Sequence, residues 1–370
     1  MYSKLSISLI KYLKYYNIPF SLPIRIKPHT RVEIMGGRSR ITFKDYYNVA
    51  RLEYLPAEAP AIFIPLLLSA TAITDFFNFL YYEAILAFGL LYFAGFIINS
   101  YTDIDVDKHY KIYVATSSQK LGSGVLKNLV ILQVCIAIAL IIHIAWVLNS
   151  YWLIPICLLG IFMGLAYSIK PFEFKVKGIL HTISLCLSAF MVPFILLYST
   201  VSTNFSWYII LLLIVFPITH YGIALANQTG DFLEDKSEKL QTPAVKWGLN
   251  NTLRLAKSMT LTGLFLELIA FYGVLWYAPW MPSFEAAVGV LIPGRYLLMI
   301  LITIVMCLAY SVPLRGLFSL HEISKWDIAI EKRMNKIKQR MNYPIWQAAG
   351  IWGLVVTSAI IMVGSVVIGG

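Results

Sequence analysis

Residues 129–147 read LVILQVCIAIALIIHIAWV, without a single Asp, Glu, Lys or Arg. Wound as a helix at about 1.5 Å per residue, such a run nearly crosses a hydrocarbon layer about 30 Å thick. Lipid offers no hydrogen bonds, so the backbone must satisfy its own, as a helix does. Comparable runs recur along the chain. Windowed hydropathy places nine spans near 57–74, 80–99, 126–147, 150–168, 178–199, 207–227, 258–279, 290–313 and 347–368. Only 13% of the 370 residues are charged, against about 25% in a soluble domain. The sequence therefore predicts an all-α, polytopic membrane protein with nine transmembrane helices. Pro60, Pro65, Pro193 and Pro217 fall inside predicted spans and imply kinks.

Basic residues set the orientation. Every Lys and Arg except Arg295 lies before span 1, or in or beside the connections after spans 2, 4, 6 and 8. The positive-inside rule then places the N-terminus in the cytoplasm and the C-terminus on the opposite side, with Arg295 snorkelling from a span end. The net charge of +11 is a topology signal on this reading, and no nucleic-acid partner is expected. Cys135, Cys157, Cys186 and Cys307 all sit in apolar runs without paired spacing and read as packing residues.

Four regions follow. Residues 1–56 form a basic N-terminal segment, with an interfacial helix expected over 3–17. Residues 57–313 form the helical core, and 347–370 the ninth span with a short tail. Between them, in 314–346, Trp326, Ile330, Met334, Ile337 and Met341 recur at helical spacing among Lys332, Arg333, Lys336, Lys338 and Arg340. That pattern predicts a basic amphipathic helix on the cytoplasmic membrane surface.

The chemistry lies in a repeat. NSYTDIDVDK carries Asn99, Asp103, Asp107 and Lys108; NQTGDFLEDK carries Asn227, Asp231, Asp235 and Lys236 in the same order and spacing. One closes span 2 and the other span 6. The first eight spans thus divide into two four-helix pseudo-repeats, with a ninth helix added. At i, i+4 and i+8, each Asn and its two Asp share one helix face, while Asp105 and Glu234 point elsewhere and read as solvated. Carboxylates at a helix C-terminus oppose its dipole, so the arrangement calls for a cation. Hard oxygen ligands suit Mg²⁺, which takes one or two carboxylates and fills its octahedron with water and phosphate oxygens. Two ions are expected. Lys108, Lys170 and Lys236 lie nearby as point charges for phosphate.

These residues resemble the UbiA-type intramembrane prenyltransferase superfamily. NSYTDIDVD is similar to its first aspartate motif and DFLED to its second; LQTPAVKWG resembles a Thr-x2-Val-x2-Gly stretch and YSIKPFEFKVKG a Tyr-x2-Lys element. Ser100 departs from the Asp that many members carry there. The resemblance implies that Asp103, Asp107, Asp231 and Asp235 are catalytic metal ligands, holding Mg²⁺ against the diphosphate of an isoprenyl donor. It implies that Asn99 and Asn227 order the two clusters, that Lys170 contacts the diphosphate, and that Tyr167 lies beside the carbon that becomes cationic. Arg51 resembles a further basic position of the donor site. The implied reaction is prenyl transfer, through an allylic carbocation, to a hydrophobic acceptor, with the prenyl tail running toward membrane lipid. A terpene cyclase on the same scaffold and a divalent-cation transporter are the rival readings. Carboxylates at the membrane edge, and not at its midplane, count against the transporter.

Overall fold

The computed structural model describes residues 40–278 and 294–368, and no strand occurs among them. The helix expected over 3–17 lies outside the described residues. The elements run α1 (Phe43–Val49), α2 (Leu55–Ser69), α3 (Phe79–Thr102), α4 (Ile104–Tyr110), α5 (Ile112–Leu121), α6 (Ser123–Val147), α7 (Leu153–Ala166), α8 (Ile179–Ser199), α9 (Trp207–Gln228), α10 (Phe232–Ser237), α11 (Pro243–Trp247), α12 (Leu249–Tyr277), α13 (Gly294–Ser324), α14 (Ile330–Arg340) and α15 (Tyr343–Ile368).

Seven of these, α3, α6, α8, α9, α12, α13 and α15, are long and apolar enough to cross a membrane. The two shorter apolar helices, α2 and α7, stand where spans 1 and 4 were expected and are shorter than the predicted 57–74 and 150–168. Within α2 the prolines change the winding, while the helix itself ends at Ser69, where Ala70 turns extended. The helix tightens to a 3-10 turn over Ala59–Ile62, around Pro60, and resumes at Phe63, with Pro65 in its first turns. A proline removes a backbone donor and crowds the preceding turn. Two other helices outrun the hydropathy windows: α12 starts at Leu249 and α13 continues through Pro313 to Ser324. Their extra turns carry Arg254, Lys257 and Arg315, which lower the window average without ending the helix.

Helix pairing follows the repeat in part, while the two cores cross it: Ile64 and Leu67 of α2 join the second core, and Val192, Leu196 and Leu197 of α8 join the first. α3 pairs with α6 in the first half; α9 pairs with α12, and α13 with α12 and α15, in the second. The first-half core centres on Tyr81, Ala84, Ala137, Ile144 and Cys157. The second centres on Leu212, Phe216, Phe271, Met306 and Leu354. Small residues permit close helix approach: a Cβ on Gly263 of α12 would lie 1.9 Å from Thr219 Oγ1 of α9. The outward faces stay apolar, as Ile131, Leu132 and Trp146 on α6 and Leu308 on α13 illustrate. Arg295 lays its guanidinium over the Trp276 ring, 4.7 Å from the centroid.

The basic amphipathic helix is α14, and it is shorter than the sequence pattern. Trp326 lies exposed before its start and Met341 caps its end. Met334 and Ile337 are buried in the second-half core. α14 packs against the turn Thr229–Asp231 of the second aspartate motif, and Lys338 Nζ donates to Glu234 Oε1 at 2.6 Å. Glu234, expected to be solvated, is therefore engaged by a distant segment.

Candidate active site

Each aspartate motif is built on a helix that breaks at its first carboxylate. α3 ends at Thr102 and α4 begins at Ile104, leaving Asp103 between them at φ −99°, ψ 11°. α9 passes into a 3-10 turn, Thr229–Asp231, and α10 begins at Phe232, leaving Asp231 at φ −94°, ψ 9°. Both sit in the sparsely allowed bridge region, where active-site residues recur. The sequence predicted one continuous helical face. The break changes the axis but keeps the register in the first motif, because Asp103 N–H donates to Asn99 O at 3.0 Å and Asp107 N–H to Asp103 O at 2.7 Å.

The first cluster is held by two basic side chains. Lys175 Nζ pairs with Asp103 Oδ1. Arg51 Nη2 lies 3.7 Å from Asp107 Oδ2, both side chains being buried. Arg51 has φ +52°, a left-handed conformation that a non-glycine residue adopts at a cost of about 1–3 kcal/mol. Its neighbour is tied in place: Ser100 Oγ donates to Val49 O at 2.9 Å, so the departure at Ser100 serves to anchor the Arg51 segment to α3. Burial first, and then the charge of Asp103, hold the Asp107 carboxyl above the usual carboxylate range, against the pull of Lys111 and Arg51.

Lys111 links the two clusters. Its backbone N–H donates to Asp107 O at 2.8 Å, while its Nζ lies 3.8 Å from Asp231 Oδ2. In the second cluster Thr242, from the LQTPAVKWG stretch, donates its hydroxyl to Asp235 Oδ2 at 2.8 Å. Tyr167 lies in the field of both Asp103 and Asp235, one carboxylate from each repeat. The next residue, Ser168, donates to Asn99 Oδ1 at 3.0 Å and so orients that amide.

Arg51, Asn99, Lys111, Tyr167 and Asn227 line one cavity of about 350 Å³. Its wall continues through His181, Gln228 and Tyr221 to an apolar chamber lined by Ile141, Cys157, Ile161 and Leu196. His181 takes Gln228 Nε2 at 2.6 Å on its Nε2 and places Nδ1 2.9 Å from Lys175 O, which fixes the proton on Nδ1. The π-turn of α8, Cys186–Met191, contributes Ser188, Ala189 and Phe190 to the same wall. Such turns are frequent at functional sites.

Three expected residues are placed differently. Lys170 is exposed, and Lys175 is the lysine that reaches Asp103. Lys108 pairs with exposed Asp105 at 2.6 Å. Lys236 is exposed beside the Phe232 ring. Sequence reasoning passed over Lys111, Lys175 and His181. The signal for Lys175 was present in YSIKPFEFKVKG, which offers three lysines.

The donor chemistry fits a divalent cation. Asp107 Oδ2 is buried and accepts no hydrogen bond. Among the described residues no three Asp, Glu, His or Cys side chains converge on a point. An ion held here would complete its shell with water and phosphate oxygens, as Mg²⁺ does.

A bundle of apolar helices, with two aspartate motifs linked through Lys111 beside an internal cavity, defines an integral, multi-pass membrane protein. The chain belongs to the UbiA prenyltransferase family, whose model matches residues 59–303, and it is a prenyltransferase. No curated protein matches it. Similar solved structures include a UbiA homolog from Archaeoglobus fulgidus bound to GPP and Mg²⁺, with a TM-score of 0.55 and 16% identity over 84% of this chain and 99% of that one. The same homolog bound to DMAPP and Mg²⁺ gives a TM-score of 0.53 at 16% identity, with the same coverage, 84% and 99%. A digeranylgeranylglyceryl phosphate synthase gives 0.53 at 15% identity, over 86% of this chain and 99% of that one. At these identities the likeness establishes a shared fold.

Proposed function

We propose that this chain transfers a prenyl group from an isoprenyl diphosphate to a lipid-soluble acceptor, with Mg²⁺ held by Asp103, Asp107, Asp231 and Asp235. The observation that carries the reading is the meeting of both aspartate motifs at one cavity mouth, bridged by Lys111. The complexes of the Archaeoglobus homolog with GPP, DMAPP and Mg²⁺ support it. Mg²⁺, when bound, supplies Lewis-acid neutralisation of the leaving diphosphate. Arg51, Lys111 and Lys175 add fixed positive charge around the same oxygens. Asn99, held by Ser168, orders the first cluster, and Asn227 takes the equivalent place in the second. Ionisation leaves an allylic cation on the prenyl C1. The apolar chamber excludes water from it, and the Tyr167 face offers cation–π stabilisation of about 0.5–2 kcal/mol. In this reading α2 and α7 complete nine crossings, the N-terminus is cytoplasmic, the C-terminus lies opposite, and α14 rests at the cytoplasmic membrane surface.

The test uses purified protein, Mg²⁺ and radiolabelled geranyl, farnesyl and geranylgeranyl diphosphates. Asp103→Ala and Asp235→Ala are expected to abolish Mg²⁺-dependent diphosphate release while remaining monodisperse with unchanged helicity. Undiminished release in either variant would overturn the proposal. A cyclic hydrocarbon formed from donor alone would assign the cation's trap to the donor itself, as in a cyclase.

A further inference from the structure

Among the described residues that line the cavity, one is a carboxylic acid: Glu58. It sits in LPAEAPAIFIPLLL, an apolar stretch where an acid is expensive and needs a partner. Its partners are hydroxyls. Tyr92 Oη of α3 donates to Oε2 at 2.6 Å, and Tyr343 Oη of α15 donates to Oε1 at 3.1 Å. Each carboxylate oxygen thereby keeps a free lone pair. The surroundings are aromatic: Phe96 lies 4.8 Å from Tyr92 and stacks on Tyr54 at 6.0 Å, and Tyr54 meets Tyr343 edge-on at 6.2 Å. Tyr54 in turn lies in the field of Arg51, Lys111 and Asp231. A band of rings thus leads from the charged mouth to Glu58. A purely structural acid would be closed over by its three helices. This one, held rigid from two sides, opens on the cavity.

We propose that Glu58 is the base that binds and deprotonates the acceptor, and that the acceptor is a lipid-soluble alcohol or phenol. This rests on the diphosphate site described above. The C1–O bond to diphosphate breaks and its electron pair leaves with the diphosphate. A C1–O bond forms from the acceptor hydroxyl, and the hydroxyl proton passes to a Glu58 oxygen. A carboxylate aligns an O–H by hydrogen bonding in a way it cannot align a C–H, which is why the acceptor class is a hydroxyl compound. The tyrosine clamps fix the orientation of the acid and leave a lone pair on each oxygen to take the proton.

The experiment incubates the full chain with Mg²⁺, the same radiolabelled prenyl diphosphates and a total lipid extract of the source cells. Half of the extract is first acetylated to block its hydroxyls. Wild type is expected to label the native extract and not the acetylated one. Glu58→Gln keeps the side chain's size and is expected to lower adduct formation by at least about 100-fold, while diphosphate release without extract stays within about twofold. Tyr343→Phe, which leaves the acid in place, is expected to retain most transfer. Equal transfer by Glu58→Gln, labelling of the acetylated extract, or equal loss of release and transfer in Glu58→Gln would each overturn the assignment. So would donor consumption by wild type with no adduct. Failure of wild type to consume any donor would instead strike the diphosphate site itself.

Discussion

Lys111 Nζ stands 3.8 Å from Asp231 Oδ2, so a side chain from the first repeat reaches the first carboxylate of the second. Its own backbone is bonded to Asp107 O. One residue therefore registers the two halves of the mouth against each other, and does so with a charge opposite to both. Removing that charge takes away an attraction for the donor's diphosphate oxygens, which the metal alone must then supply. Lys111→Met is expected to raise the KM for donor by about 10–100-fold, the cost of a charge-assisted contact, with a smaller change in kcat. Steady-state kinetics across donor and Mg²⁺ concentrations read this directly.

A second prediction separates two lysines five positions apart. Lys175 pairs with Asp103, while Lys170 is exposed. Lys175→Met is expected to lower kcat/KM for diphosphate release by about 10-fold or more, because a half-buried partner of a metal-site carboxylate is lost. Lys170→Met is expected to stay within about twofold, as surface charges usually do. The reverse order would show that Lys170 moves inward when donor binds.

How much of this was legible beforehand differs between kinds of residue. The membrane class and the paired motifs were readable because apolar length and i, i+4, i+8 spacing are local properties of the chain. Lys111 and Lys175 were not, because basic residues crowd this end of the bundle and spacing alone does not say which one turns inward. Glu58 was not singled out, because its partners Tyr92 and Tyr343 are remote in sequence. The 3-10 turn inside α2 lies around Pro60, a change of winding that hydropathy windows do not register. The shared helix break at Asp103 and Asp231 had no signature in composition at all, yet the two repeats adopt nearly the same backbone angles there.

α14 gives a third prediction. Ile337 is buried in the second-half core, whereas Lys338 makes an exposed contact to Glu234. Ile337→Ala should cost about 2–4 kcal/mol by leaving a cavity, and should loosen the Thr229–Asp231 turn that α14 supports. Lys338→Ala should cost under about 1 kcal/mol. Thermal unfolding in detergent gives the stability difference, and a raised Mg²⁺ requirement in Ile337→Ala alone gives the functional one.

The contact between α1 and α5 offers a test by pH. Asp45 of α1 accepts from Thr42 N–H and Thr42 Oγ1, both at 2.8 Å, and pairs with Lys120 of α5 at 2.8 Å. Burial works against its charged form, but the Lys120 and Thr42 hydrogen bonds outweigh burial and hold the carboxyl below the usual aspartate value. A depressed folded-state pKa means that the unfolded chain binds the proton first as pH falls. The stabilisation is complete above the unfolded value of about 3.9 and fades as pH drops through the lower folded value. Asp45→Asn should therefore lower the melting temperature at pH 7 by the equivalent of about 1–2 kcal/mol, a cap-sized effect, and the gap from wild type should close below about pH 4. A gap that persisted unchanged into acid would mean that shape, and not charge, is what Asp45 contributes. Because α1 leads directly to Arg51, the same variant should also weaken donor binding at neutral pH, and Lys120→Met should reproduce both effects in a background where Asp45 is intact.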